Sequence, residues 1–498
     1  MMCQSNVHHS LHPFAWVFYA MGLLVVSACT VGPDFSRPAA PSQTTYIPDP
    51  VAATLPAQGQ AQHFLSGAAV APDWWRLFKS ASLDTMVHQA IANNQTLQAA
   101  EASLRRSQNT LMAGYGVFYP HLDAHAGATR ERNAPLQPGL TTNGSIFNVV
   151  TLSGTISYTL DVFGGERRSV EGLQAEVDYQ TWQTQAAYLT LTANVVNTAI
   201  ARAAYAAQLH ATEQLISLQK QQLQTTQVQV HSGTAPFSAI LSLRSLIASN
   251  EALVPALAQK ISQAEHLLAT LEGVAPSEAR LPDIVLTGLS LPTDLPVSLP
   301  SLLVRQRPDI LSAEAQLHRA SADIGVATAA MFPSFSLTGT YGAAGSDMGS
   351  LFASGGRFWS VGPSVDIPLF HAGSLWFGRK AAINAYQQAT ANYRQTVLDA
   401  FAQVADALKA LEFDAQALQK QAEAQAAAEE ALRLLQANYQ SGLVTYLDLL
   451  IADVQLHQVN IAYLQALAQR YQDTVGLFVA LGGGWWNAPA STENRQQP

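Results

Sequence analysis

The feature that most constrains this chain is a proline-free stretch from Ser374 to Ala480. Its first part carries apolar residues at alternating steps of four and three, the seam of a coiled coil. These residues are Val397, Phe401, Val404, Leu408, Leu411, Ala415, Leu418 and Ala422. The stretch predicts one very long helix, a turn at Ser441-Gly442 and a second helix. About sixty helical residues extend about 100 Å, which could span the space between two membranes if the rod continues a β-barrel.

The chain also contains an internal duplication. Leu97, Leu104 and Pro120 correspond to Ile310, Leu317 and Pro333 at one constant offset, and the turn Ser232-Gly233 corresponds to Ser441-Gly442. Each half therefore predicts a helix, two strands, a long helix, a turn and a returning helix. A repeat of this length indicates architecture and not two enzymes.

Four segments alternate between apolar and polar residues, which predicts four strands with two different faces. The segments are residues 121–129, 148–162, 334–341 and 358–369. In the second segment Ile156 and Tyr158 share one face, while Thr155 and Ser157 share the other. Apolar and Ser/Thr-rich faces fit lipid outside and water inside. Four strands cannot close a channel, since about eight are the practical minimum, so edge pairing predicts an oligomer.

Composition excludes several other classes of function. Only 12% of the residues are charged and the net charge is -9, which gives no basic footprint for nucleic acid. Beyond the first thirty residues no apolar run reaches the roughly 18 residues of a spanning helix, so a membrane would be crossed as a closed barrel. No phosphate-binding loop, zinc-protease motif or nucleophile elbow occurs, which predicts neither enzyme nor cofactor. His121 and His125 share a strand face, but without a third ligand they predict no metal site.

The N-terminus has the pattern of a bacterial lipoprotein signal. Residues 14–28 are apolar, and the small residues Ser27 and Ala28 directly precede Cys29. The pattern predicts that Met1–Ala28 is removed and that Cys29 carries the lipid. The alternative is an ordinary signal followed by an incidental cysteine.

Several motifs then resemble one family. They are Cys29-Thr-Val-Gly-Pro-Asp-Phe-Ser-Arg-Pro38, Asp73-Trp74-Trp75, Arg305-Gln-Arg307-Pro308-Asp309-Ile310, Ile324-Gly325-Val326-Ala327 and Leu481-Gly-Gly-Gly-Trp485. They are similar to the TolC-like outer-membrane factors of RND-type tripartite efflux systems, in the lipoprotein branch. The resemblance implies a mixed α/β membrane protein whose two repeats supply four strands of a trimeric twelve-stranded barrel and a long helical periplasmic tunnel.

The resemblance also implies a function and partners. The chain would be a passive exit duct for small molecules such as drugs or toxic compounds, lipid-anchored in the outer membrane and extending into the periplasm. Its partners would be two further copies, a periplasmic adaptor and an inner-membrane pump. Two alternatives remain open, namely a type I protein-secretion channel and a non-conducting structural envelope lipoprotein.

The predicted domain organisation follows the repeat. It comprises a signal peptide (1–28), a lipid-anchored extended strap (29–72), repeat 1 (73–273), an equatorial linker (274–301), repeat 2 (302–486) and a disordered tail (487–498).

In the family that the chain resembles, helices close the periplasmic mouth near the second turn. The gate candidates here are Tyr446, Leu447, Asp448 and Ile451. Some relatives place a carboxylate and an arginine where Ile451 and Val454 stand, so an apolar constriction is expected instead. Alternatively, Leu447 and Ile451 only pack between helices. The tips expected to contact the adaptor are Ser232, Gly233, Ser441 and Gly442.

Overall fold

The computed structural model describes residues 30–57, 60–132 and 145–487. The proposed signal and Cys29, most of the loop 133–145 and most of the tail lie outside the described residues. The chain divides into two compact units. Unit 1 comprises Met1–Arg37, Arg105–Tyr179 and Glu314–Asn392; unit 2 comprises Pro38–Leu104, Gln180–Ala313 and Tyr393–Pro498.

The elements follow the predicted order in each half. The helices are α1 (Ala81–Asn93), α2 (Gln95–Gly114), α3 (Gly165–His231), α4 (Phe237–Glu251), α5 (Leu253–Leu271), α6 (Pro300–Leu303), α7 (Pro308–Ala329), α8 (Ser374–Gln440) and α9 (Tyr446–Ala480). The strands are β1 (His63–Ser66), β2 (His121–Arg132), β3 (Ile146–Leu160), β4 (Asp294–Val297), β5 (Ser334–Gly345) and β6 (Arg357–Asp366). The two long helices α3 and α8 each contain 67 residues, as a continuous rod requires.

Unit 1 contains an antiparallel sheet in the order β2-β3-β5-β6. Its register places Thr155 opposite Asp123 and Thr340, and Ile156 opposite Leu122 and Gly339. The four predicted strands are confirmed, although β6 ends at Asp366 and not at residue 369. Proline at 368 explains the earlier end, because it has no N–H for a ladder and restricts the residue before it.

The coiled-coil seam of α8 is confirmed in unit 2. Val404, Leu408, Leu411, Ala415 and Leu418 are buried, and Val397, Phe401 and Ala422 pack against the same core. The same core includes Leu464, Leu467 and Val475 of α9. Burial of this seam holds the two helices together, at about 25 cal/mol for each Å² of apolar surface removed from water.

The strap contains regular secondary structure, which the prediction of an extended segment did not include. It includes β1, which pairs in parallel with β4 of the linker, and His63 lies opposite Asp294. Neither four-residue strand alternates well enough to be found from sequence. The tryptophan pair packs in unit 2, where Trp74 stacks on Phe478 with ring centroids 5.4 Å apart.

One described helical segment, Phe237–Leu271, is long and apolar enough to cross a membrane by length and composition. This differs from the expectation that no such segment would occur. The segment divides at Ala252 into α4 and α5 and ends at Gly273, which has φ +73°. Buried Leu243, Ile247 and Leu268 show that one face packs against other helices.

Candidate functional site

The sheet of unit 1 has one continuous polar face. The Oγ1 atoms of Thr155 and Thr340 lie 3.2 Å apart, and the Oγ atoms of Ser336 and Ser364 lie 2.7 Å apart. At the β2 edge the same face continues with His121, Asp123 and His125, which lie opposite Ser157, Thr155 and Ser153. The hydroxyls of β3, β5 and β6 and the imidazoles and carboxylate of β2 give a surface that water can solvate.

The opposite face of the sheet is apolar and exposed. Its exposed side chains include Leu122, Ile156, Trp359 and Val361, and Trp359 retains 74% of its surface. A large apolar face beside a polar one is the arrangement of a membrane barrel with lipid outside and water inside. In the described chain β2 and β6 each pair on one side only, so the sheet has two open edges.

The segment that follows Cys29 is clamped onto the helices of unit 1. The guanidinium of Arg168 donates to Asp34 at 2.5 Å and to Glu171 at 2.7 Å, and its side chain is only 5% exposed. The backbone N–H of Val31 donates to the Phe163 carbonyl at 3.0 Å. The strap is therefore held by both a buried cation and the main chain.

Further contacts continue the clamp along residues 30–37. Phe35 stacks on His318 with centroids 4.3 Å apart, and Arg37 donates to Glu314 at 2.6 Å. At Gly32, with φ +96°, an added Cβ would lie 2.5 Å from the Gly325 Cα, so only glycine fits this close approach. The motif beginning at Cys29 thus specifies a docking segment, and the Gly325 motif supplies its receptor.

The two hairpin turns in unit 2 have the same backbone motif. The N–H of Gly233 donates to Val230 and that of Thr234 to Gln229, while Gly442 donates to Tyr439 and Leu443 to Asn438. Gly233 and Gly442 have φ +75° and +71°. This is a Schellman ending, in which a left-handed glycine closes the last turn of a helix. Ser232 and Ser441 precede these glycines and are exposed.

The two turns also line a common cavity of about 670 Å³. Its walls include Gln229, Pro236 and Ser242 from the first hairpin, and Thr445 and Tyr446 from the second. The duplicated turns therefore lie side by side within unit 2.

The gate candidates separate into different environments. Asp448 caps α9, because its carboxylate accepts from the N–H and hydroxyl of Thr445 at 2.9 and 2.6 Å. These hydrogen bonds, from the Thr445 side chain first, lower the pKa of the Asp448 carboxyl. Tyr446 packs against Ile216, Leu243 and Ile247 instead of facing solvent, and burial raises its pKa.

Leu447 and Ile451 lie on the exposed face of α9, and Leu443 lies in the turn that precedes the helix. Leu447, Ile451 and Leu443 retain 61%, 60% and 75% of their surface. Leu447 and Ile451 are four apart and share one side of the helix; these two residues and Leu443 form an exposed apolar surface, which we call the α9 stripe. At the equivalent positions of the first hairpin stand the polar residues Thr234, Ser238 and Ser242. The exposed apolar residues of the first hairpin, Phe237 and Leu241, lie at other positions.

The seam in the tip half of α3 alternates between apolar and polar residues. Leu209, Ile216, Leu223 and Val230 recur every seven residues; Ile216 is buried and the other three are half-buried. Thr212, Gln219 and Thr226, each three residues after one of these positions, are also buried. Steps of three and four are those of one heptad seam, so the polar residues occupy its second position.

This seam links the two hairpins by hydrogen bonds. Asn250 Nδ2 donates to Gln219 Oε1 at 3.0 Å, and Gln219 Nε2 donates to Asp453 Oδ2 at 3.4 Å. Burial raises the pKa of the Asp453 carboxyl, and the Gln219 hydrogen bond opposes that rise.

Arg307 lies in the motif around Pro308 and joins the ends of several helices. Its guanidinium bonds to both carboxylate oxygens of Asp309 at 3.0 and 2.6 Å, to Gln403 Oε1 at 2.7 Å and to the Ala480 carbonyl at 2.7 Å. It therefore caps the end of α9 and joins it to α7 and α8.

A two-faced sheet combined with long helical hairpins defines a channel protein of the outer membrane. Residues 86–274 and 299–483 match the family described as outer membrane efflux protein, and the chain belongs to this family. The two matched ranges correspond to the two halves of the duplication. The fold is that of the TolC-like channels, with strands that form part of a trimeric barrel and a long helical tunnel.

Individual relatives cover almost the whole chain. The cation efflux system protein CusC of Escherichia coli O6:H1 is 29% identical over 468 residues, covering 93% of this chain and 97% of CusC. The pyoverdine export outer membrane protein OpmQ of Pseudomonas aeruginosa is 27% identical, covering 88% of this chain and 93% of OpmQ. The solved structure of the outer-membrane channel OprN is 27% identical in sequence and has a TM-score of 0.81. The match covers 92% of this chain and 100% of the OprN chain.

Proposed function

We propose that this outer-membrane efflux channel is the exit duct of a tripartite pump. Three copies would pair their open β2 and β6 edges into a twelve-stranded barrel, and the helices would continue the duct into the periplasm. An inner-membrane RND-type pump and a periplasmic adaptor would load it. The observation that carries the proposal is the sheet with one continuous hydroxyl-lined face and one exposed apolar face.

The cargo would be small molecules, including drugs and toxic compounds. Relatives named for cations and for pyoverdine support an export role with different cargo in different systems. A duct needs a wide polar lumen and no catalytic group, cofactor or metal. Selectivity would then lie in the pump, and this chain would act passively.

Loss of the gene tests this function. We expect a deletion strain to become more susceptible to small toxic compounds and to accumulate a fluorescent pump substrate. Expression of the intact chain should restore efflux, whereas a chain with Ile156→Asp should not, because a carboxylate on the lipid-facing side opposes membrane insertion. The matched control is Thr155→Asp, which places the same charge in water.

The same strain separates the two alternatives. A type I secretion channel predicts that an exported protein disappears from the medium while susceptibility to small molecules stays unchanged. A structural spacer predicts altered envelope integrity, with leakage of periplasmic protein, but normal efflux in intact cells. Either result would overturn the exit-duct proposal.

For the anchor, we propose that Cys29 carries the lipid after removal of Met1–Ala28. The described clamp supports this, because Thr30 lies against Gly164 just beyond the end of β3, where the sheet ends. Mass spectrometry of the purified membrane protein should show an acylated N-terminal peptide, and Cys29→Ala should lose that mass. An unmodified Cys29 in the wild-type protein would contradict the assignment.

For the gate, we propose that the α9 stripe forms an apolar constriction when three copies surround one axis. Leu447 and Ile451 carry this role, and Asp448 and Tyr446 support it through the cap and the helix packing. The exposure of Leu447 and Ile451 supports the gate over simple packing between the helices of one chain. The tips Ser232-Gly233 and Ser441-Gly442 would contact the adaptor. Ionic current through single channels measures the constriction directly.

For the domain organisation, we propose the division into a strap, repeat 1, an equatorial linker and repeat 2. The family match to two separate ranges, with a gap between residues 274 and 299, supports the linker assignment. At the end of repeat 2, Asn487 is bonded to the Val70 carbonyl at 2.7 Å, so the tail would begin after this residue.

A further inference from the structure

A buried arginine in unit 2 connects the strap to α9. Arg470 is 1% exposed, and its guanidinium donates to Gln62 Oε1 at 3.1 Å, to Thr54 Oγ1 at 3.3 Å and to the Gln60 carbonyl at 3.2 Å. All three acceptors are uncharged groups of the strap. A buried cation is costly unless a negative charge lies nearby, so the carboxylates around it decide whether the arrangement is stable.

Two carboxyl groups lie beside this arginine. Asp414 comes from α8 and Asp473 from α9, one turn beyond Arg470, and their side chains are in hydrogen-bond contact. The Asp414 Oδ2 atom is buried and has no donor among the described residues. Two ionised carboxylates repel and have no proton to share, whereas one protonated carboxyl can donate to the other.

We propose that Asp414 and Asp473 share one proton and form a pH-sensitive brace between α8 and α9. The protonated pair carries one negative charge, which balances the positive charge of Arg470. The brace thereby links three parts of unit 2, namely α8, α9 and the strap. It is independent of transport, because the proton resides in the helical packing and not on cargo.

The pair is surrounded by groups from three elements. From α9, Gln469 Nε2 donates to Asp473 Oδ2 at 2.9 Å, and the titratable neighbours are Arg470, Tyr463 and Tyr471, whose hydroxyl donates to the Leu289 carbonyl at 2.8 Å. The strap contributes uncharged Thr54, Gln60 and Gln62, and α3 contributes the backbone carbonyl of Asn197, which accepts from Gln472. Among the described residues, the cation that acts on Asp414 is Arg470.

The direction of the pH effect follows from burial. Loss of water, and then the contact with Asp473, raise the pKa of Asp414 well above its ordinary value near 4. A carboxyl whose pKa is higher in the folded state binds more protons when folded. Its contribution to stability is complete below its unfolded pKa and is lost as the pH rises through the folded pKa. The brace is therefore intact at mildly acidic pH. At alkaline pH both carboxyl groups are ionised, and they repel each other.

Infrared difference spectroscopy of the full-length protein in liposomes tests the shared proton. We expect a protonated-carboxyl C=O band at about pH 6 that disappears at about pH 10. Asp453 and Glu272 also have raised pKa values because of burial, so spectra of variants identify the source. Asp414→Asn and Asp473→Asn should each remove the same part of the band. Asp406→Asn, an exposed site on α8, should remove none.

Thermal unfolding of the same variants reports the consequence for the fold. The wild-type midpoint should fall between about pH 5 and about pH 9 by several degrees more than the midpoint of Asp414→Asn, whose amide cannot ionise. The proposal is overturned if the wild-type spectrum has no band that both asparagine variants remove. It is also overturned if Asp414→Asn retains the full pH dependence of the wild-type midpoint.

Discussion

Arg168 illustrates how one side chain holds the strap to unit 1. It is almost fully buried, and it joins Asp34 of the strap to Glu171 of α3, which in turn contacts His318 at 2.9 Å. Removal of a buried cation leaves its carboxylate partners without compensation. The cost of breaking such a pair is typically about 3–5 kcal/mol when both ends are buried.

We therefore expect Arg168→Met to release the strap. Asp34 is largely exposed, so the loss should be below that range, about 1–3 kcal/mol. Limited proteolysis of the purified protein measures the release as faster cleavage within residues 30–45. Arg37→Met is the matched control, because the Arg37 side chain is half-exposed and its ion pair with Glu314 should contribute less. Equal rates of cleavage in the wild type and Arg168→Met would contradict this prediction. They would show that the main-chain hydrogen bond and Phe35 hold the strap without Arg168.

Single-residue roles were only partly predictable from sequence. The motif from Cys29 to Pro38 and the motif around Arg307 indicated the family, but not the contacts of single side chains. Neither pattern identified Arg168 or His318 as partners of the strap, because they lie far from it along the chain. Burial and ion pairing across such separations depend on the folded packing, which no local spacing encodes.

The sheet can be tested by its alternation. Thr155 and Ile156 are neighbours in β3 whose side chains lie on opposite faces, so they make a matched pair. A cysteine at Thr155 should react with a membrane-impermeant thiol reagent in assembled protein, and a cysteine at Ile156 should be shielded by lipid. A charge at Ile156 should cost about 2–4 kcal/mol near the bilayer midplane, and one at Thr155 should cost little. Equal labelling at both positions would refute the register.

The elements differ in how well the sequence predicted them. The period of two in β3 and the heptad of α8 were strong because each buried or lipid-facing position carries an apolar residue. In the tip half of α3 the sequence predicted only the apolar positions of the seam, because the buried positions that alternate with them include Gln219 and Thr226. The pairing of β1 with β4 was missed for another reason: four-residue strands pair across the chain without a local pattern.

The whole molecule was predictable to the extent that its two halves repeat. The duplication, the four strands and the long hairpins together indicated an oligomeric channel, and the family match confirms the class. The division into two compact units was not predicted. The units cut across the repeats because the long helices pass from one unit into the other, and sequence repeats record ancestry and not spatial clustering.

The central claim is that three copies form a water-filled duct which the α9 stripe constricts. Single-channel current through the purified protein in planar bilayers measures both parts. We expect discrete conducting steps from the wild type, and larger steps or a greater open fraction from Leu447→Ala with Ile451→Ala, because smaller apolar side chains widen a constriction.

Ser238→Ala with Ser242→Ala, at the equivalent positions of the first hairpin, is the matched control and should leave the current unchanged. Unchanged current in the leucine and isoleucine variant would place the constriction elsewhere, and the absence of any conducting step from correctly inserted protein would contradict the duct itself.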